Sequence, residues 1–106
     1  MGDIITDLYK IVEQREAERE EGSYTVYLLD AGLDKILKKL GEETAETIIA
    51  AKNAEAGGEE TRGALIGEVS DLIYHLVVML YELGVEPDEI ETLLRERMQK
   101  QKNLKT

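Results

Sequence analysis

Two long apolar stripes at helical spacing, parted only by Gly57-Gly58, constrain this chain more than any other feature. The first runs from Leu33 to about Glu55 and carries Leu33, Ile36, Leu37, Leu40, Ile48 and Ala51 on one side of a helix. The second starts at Thr61, a good cap, and reaches Leu83, with Leu65, Val69, Leu72, Ile73, Leu76 and Leu80 inward. Helices this long with so short a connection lie antiparallel. Gly41 is tolerated inside the first at a cost of about 1 kcal/mol relative to Ala.

Shorter elements flank this hairpin. Asp3 can cap a helix to about Arg19, with Ile4, Ile5, Leu8, Ile11 and Val12 at helical spacing. Gly22-Ser23-Tyr24-Thr25 breaks it, a turn of helix covers Val26 to Leu29, and Gly32 ends that piece. Gly84 suits the end of the long helix, and Pro87, Asp88 and Glu89 suit the start of another with Ile90, Leu93, Leu94 and Met98 as its stripe. The Lys-rich tail after Lys100 is expected to fray. The expectation is a single all-α domain over residues 1–106, a bundle of about four helices with two long central antiparallel ones. Its apolar stripes are long enough to call for a homodimer.

Composition agrees with this and removes several functions. With 42% hydrophobic residues but no Phe or Trp, the core falls to Leu, Ile, Val, Ala and five Tyr. No Cys means no disulfide, thiolate metal site or cysteine nucleophile. The formal charge is −10, while the stretch from Arg95 to the end holds five basic residues against one acid, so the rest is strongly acidic. Such a surface repels nucleic acid, and a bound cation must reverse the local potential before a polyphosphate can approach. Neither a membrane span nor a secretory signal is read, and a cytoplasmic location is expected.

The acids themselves are patterned. With Glu43 at zero on the helical wheel, Glu46 falls at roughly 300°, Lys39 at roughly 320° and Asn53 at roughly 280°, against an apolar stripe centred near 70°. With Glu68 at zero, Asp71 falls at roughly 300° and His75 at roughly 340°, beside a stripe centred near 90°. Each long helix thus carries two acids three residues apart on one border of its core face, and residues so spaced can share a cation. If the helices pack with these borders matched, four carboxylates converge. All-oxygen donors select hard ions, Mg²⁺ or Mn²⁺ before Zn²⁺. An acid pair at this spacing also arises by chance on any acidic helix. Glu59, Glu60, Glu89 and Glu91 read as plain solvated surface. The residues alone therefore leave a metal site and a solvated acidic face about evenly balanced.

The runs KKLGEETAETIIAAKN and GEVSDLIYHLVVML resemble the paired signature of the all-α nucleoside triphosphate pyrophosphatase superfamily, E-E-x-x-E followed by E-x-x-D. Within it the chain is similar to the phosphoribosyl-ATP pyrophosphatase family, over roughly residues 4–98 and including the Ser23-Tyr24-Thr25 turn. The resemblance implies Mg²⁺-dependent hydrolysis of phosphoribosyl-ATP to phosphoribosyl-AMP and pyrophosphate in histidine biosynthesis, and a helical dimer. It places Glu43, Glu46, Glu68 and Asp71 on the metal-binding acids and Glu42 on the first acid of the motif, where it would position water. Lys39, Arg15, Ser23, Thr25, Asn53 and His75 become candidates for substrate binding. Lys52, of the family's Lys-Asn pair, is a further substrate-binding candidate, although it lies at roughly 180° on the wheel, away from Glu43. Two positions depart from the family: Glu16 replaces a basic residue and Glu20 a proline.

Other readings remain. A housekeeping nucleoside triphosphate pyrophosphatase would share the same acids. A di-iron bundle needs Glu-x-x-His on two helices, whereas three residues before the sole His75 stands Leu72. A non-catalytic dimerisation module would leave the acids as surface.

Overall fold

The computed structural model describes residues 2–100, with side chains from Ile4 onward. Asp3, expected as the cap of the first helix, stands inside α1, which already begins at Gly2, and the tail after Lys100 lies outside the described residues. Within them the chain forms five helices and no strand: α1 (Gly2–Glu18), α2 (Tyr24–Ala31), α3 (Leu33–Ala54), α4 (Glu59–Leu83) and α5 (Pro87–Met98). The two long helices are the expected ones, and they pack chiefly on each other.

Local chemistry explains where each element begins and ends. The segment expected as one helical turn is a full helix because the Ser23 hydroxyl accepts the Val26 N–H at 3.2 Å. At the start of α4 the cap is Gly58, not Thr61. The Thr61 hydroxyl instead donates back to the carbonyls of Gly57 and Gly58 at 2.9 and 3.2 Å, tightening the turn. Gly84 closes α4 in a left-handed conformation (φ 71°), and the Val85 and Gly84 amides reach the Leu80 and Tyr81 carbonyls. At α5, Glu86 and Glu89 form a reciprocal capping box that spans Pro87.

The core lies at one end of the hairpin. Val12 of α1, Leu28 and Leu29 of α2, Ile36 of α3, and Val77 and Val78 of α4 form the buried cluster, ringed by Ile5, Leu8, Tyr9, Ile73, Tyr74, Met79 and Tyr81. Glu16, one of the departures from the family pattern, accepts the Tyr81 hydroxyl and ties α1 to α4. The short helices α1 and α2 thus cover the first half of α3 and the second half of α4, and the turn end of the hairpin extends past them.

Here the structure corrects an expectation. Leu37, Ile48 and Leu76, read as core from their spacing, are exposed, Ile48 by 65%. Ile66, Leu83, Leu93, Leu94 and Met98 are exposed as well. The physical reason is that one layer of short helices can cover only one side of a two-helix hairpin. Helix α4 is also apolar enough by length and composition to pass for a membrane span, with a mean hydropathy of 1.5 over its best window. Glu68 and Asp71 stand in the middle of that helix, where charges are expensive in a bilayer.

Replacing fully buried Leu28 with Ala is expected to destabilise the fold by about 2–5 kcal/mol, read as a lower urea midpoint at unchanged slope.

Candidate metal centre

The turn at Gly57-Gly58 sets the register of the hairpin. Glu43 and Asp71 each stand fourteen residues from Gly57, and Glu46 and Glu68 each stand eleven. Since both helices rise about 1.5 Å per residue, residues equidistant from the turn come level. The Thr47 hydroxyl locks that alignment by donating to the carbonyls of Glu43, on its own helix, and Glu68, across the pair, at 2.8 and 3.2 Å.

The acid borders therefore meet. Carboxylate oxygens of Glu43, Glu68 and Asp71 lie within 4.8 Å of one another. Glu43 is buried, with 8% of its surface accessible, while Asp71 faces solvent. Glu46 sits beside this trio, its carboxyl close to that of Glu68. One oxygen of Glu43 and one of Glu68 are buried without a hydrogen-bond partner. Buried acceptors left unpaired are costly, so two of them beside a third carboxylate fit the binding of a cation. Burial pushes the Glu43 carboxyl up, and the Glu46 charge adds to it. The adjacent Glu46 carboxyl pushes Glu68 up, followed by burial and the neighbouring acids. All the donors are carboxylate oxygens, the chemistry of a hard divalent ion.

The flanking candidates separate into those that share this site and those that do not. Lys39, one turn before Glu43, pairs with Glu42 at 3.2 Å. Asn53 lines a cleft with Glu46 and Glu68 on the turn side of the acids. Arg15 lies in a different cleft, of about 520 Å³, with Gln14, Glu18 and Ser23. Its charge is felt by the Tyr74 hydroxyl, whose pKa burial raises and Arg15 opposes. Lys52 points away and pairs with Glu55 at 2.6 Å.

Two of the sequence candidates are buried. Thr25 is fully buried and hydrogen-bonds Tyr74. His75 is buried and uses both ring nitrogens: Nδ1 donates to the Asp71 carbonyl at 2.7 Å, which leaves Nε2 to accept the Tyr24 hydroxyl at 2.8 Å. His75 is thereby a brace between α2 and α4. Tyr24 is the residue that sequence reasoning missed. Burial raises its hydroxyl pKa, Lys39 opposes this, and Glu43 and Asp71 add to it, which sets the ring beside the acids. Its link to His75 spans fifty-one residues, so no local spacing announced it.

The sequence matches the family described as phosphoribosyl-ATP pyrophosphohydrolase over residues 5–98. This chain belongs to that family. It is 48% identical over 101 residues to the phosphoribosyl-ATP pyrophosphatase of Streptococcus thermophilus, covering 95% of this chain and 91% of that protein. It is 50% identical over 98 residues to the enzyme of the same name from Pelotomaculum thermopropionicum, covering 92% and 94%. A bifunctional histidine biosynthesis protein of Halalkalibacterium halodurans is 50% identical over 94 residues, which are 89% of this chain and 42% of that longer protein. Members of the phosphoribosyl-ATP pyrophosphohydrolase family act on a phosphoric anhydride, chemistry suited to a buried acidic cluster.

The acids also predict a pH response. Glu43 and Glu68 have pKa values raised in the folded state, so each binds its proton more tightly folded than unfolded. Their stabilising contribution is full below the unfolded-state carboxylate pKa and is lost as pH rises through the raised folded values. Metal-free protein is expected to gain stability as pH falls from neutral into that raised range. Glu43→Gln should reduce the gain, as measured by thermal unfolding in a chelator across pH.

Proposed function

We propose that this chain hydrolyses phosphoribosyl-ATP to phosphoribosyl-AMP and pyrophosphate, with Mg²⁺ (or Mn²⁺) held by Glu43, Glu68 and Asp71 and by Glu46 beside them. The observation that carries the reading is the meeting of three carboxylates, two with unpartnered buried oxygens, in a chain matched to the family almost end to end. The ion, when bound, polarises the phosphorus centre and lowers the pKa of an attacking water.

The chain's own residues do the rest. Water adds at the α-phosphorus, the bond to the bridging oxygen breaks, and pyrophosphate leaves. Lys39, at the end of the acid row away from the turn, offsets charge on the departing diphosphate. Glu42 holds Lys39 in place and positions water. Arg15 and Ser23 offer a guanidinium and a hydroxyl to a phosphate from the neighbouring cleft. Tyr24, braced by His75, bounds the site from α2. The activity belongs to a small cytoplasmic enzyme working on a free nucleotide, without nucleic acid or membrane.

The working form is a homodimer. The surface of the single chain is 7630 Å², against about 5,900 Å² for a globular monomer of this mass. Its radius of gyration is 15.8 Å, against about 13 Å for a compact chain of this length. Leu37, Ile48 and Leu76 are exposed apolar side chains that a second copy can cover.

Two measurements test these statements. Pyrophosphate should appear from phosphoribosyl-ATP with Mg²⁺ and not with chelator, and Glu43→Gln or Asp71→Asn should lower kcat by about 100-fold or more. Release from ordinary nucleoside triphosphates alone would favour the housekeeping reading, and release from no nucleotide would remove the enzyme reading. In sedimentation the wild type should run at about twice its 11.9 kDa chain mass, and Ile48→Glu should shift it towards the single chain. A wild type that stays at the chain mass at micromolar concentration contradicts the dimer.

A further inference from the structure

Past the acids, towards the Gly57-Gly58 turn, α3 and α4 part to form a cleft of about 490 Å³. Its sides follow the register of the hairpin. Asn53 and Thr61 each stand four residues from Gly57, and Ala50 and Ala64 each stand seven, so these pairs face one another level by level. Glu46 and Glu68 close the cleft at the metal end, and Ile49 and Glu60 complete its walls. The small side chains of Ala50 and Ala64 leave room between the helices, and Ile49 gives one wall an apolar face.

Resting on the phosphoribosyl-ATP reading, we infer that this cleft is the subsite for the adenine ring, and that Glu60 selects a ring substituted at N1. Distance supports the placement. The Asn53–Thr61 level lies seven residues, about 10.5 Å, along the helices from the Glu46–Glu68 level. That is about the reach of a nucleoside whose α-phosphate sits on the acids. Charge fixes the polarity. Lys39 stands at the other end of the acid row, whereas among the described residues no basic side chain lines this cleft. A polyphosphate therefore runs towards Lys39, and the base lies towards the turn.

The same charge separates phosphoribosyl-ATP from ATP. A ribosyl group on adenine N1 makes the exocyclic nitrogen part of an amidine, basic enough to hold a proton near neutral pH. The substrate's ring is then cationic, while that of ATP is neutral. A cleft bearing Glu60 favours the former, and the Asn53 amide can pair with the edge of either ring. Glu60 otherwise reads as an ordinary first-turn acid of α4, and only its position opposite the Asn53 end of α3 gives it this role.

Calorimetric titration with 1-methyladenosine monophosphate and with AMP, both with Mg²⁺, tests the inference. Wild type should bind the methylated nucleotide about ten-fold more tightly or better, a difference one favourable charge contact can supply. Glu60→Gln should abolish that preference, and Asn53→Ala should weaken both nucleotides. Equal binding of the two nucleotides by wild type, or a preference that survives Glu60→Gln, overturns the inference. Pyrophosphate release from phosphoribosyl-ATP, assayed alongside, separates the two claims. If wild type releases none, the proposed activity fails whatever the titration gives. If it releases pyrophosphate and Glu60→Gln keeps the same KM, the subsite alone fails.

Discussion

The register in which α3 and α4 lie side by side is the constraint on which the acids, the cleft and the exposed apolar face all depend. A two-glycine turn fixes where the second helix starts, and equal rise per residue then brings equidistant positions level. Thr47 holds that alignment from α3 by bonding the Glu68 carbonyl across the pair. A shift of one residue would rotate Glu68 and Asp71 by about 100° relative to Glu43 and break up the site. The distance of each pair from Gly57 thereby sorts the groove into Asn53–Thr61, Glu46–Glu68 and Glu43–Asp71 levels, with Lys39 beyond them.

This register also explains a tension in the fold. Carboxylates gathered beside a core repel one another and lose hydration, and the raised pKa values of Glu43 and Glu68 record that cost. The site is tolerated because it sits where the hairpin emerges from under α1 and α2. Glu43 is buried there, while Glu46 and Asp71 reach solvent. Tyr24 and His75 close the covered side, and their hydrogen bonds run to each other and to the Asp71 backbone, leaving the Asp71 carboxylate available.

Much of this was legible in the residues, and what was not has a physical reason. Periodicity gave both long helices and put each acid pair on the border of a stripe, because position around one helix depends only on local spacing. Matching the two borders needed the register, and the equal distances of Glu43 and Asp71 from Gly57 held that signal. Periodicity misassigned Leu37, Ile48 and Leu76, since an apolar stripe looks the same whether its own chain or a second copy covers it. The burial of Thr25 and His75 was not legible, because it comes from tertiary contacts with Tyr74 and Tyr24.

The central claim is that a divalent cation is held where Glu43, Glu68 and Asp71 meet. Titration of the metal-free protein with Mn²⁺, followed by electron paramagnetic resonance of the free ion and competed with Mg²⁺, tests it directly. The account predicts saturable binding that Mg²⁺ displaces, weakened about ten-fold or more in Glu68→Gln and Asp71→Asn and unchanged in Glu59→Gln on the exposed first turn of α4. Equal affinity in all four proteins would contradict it.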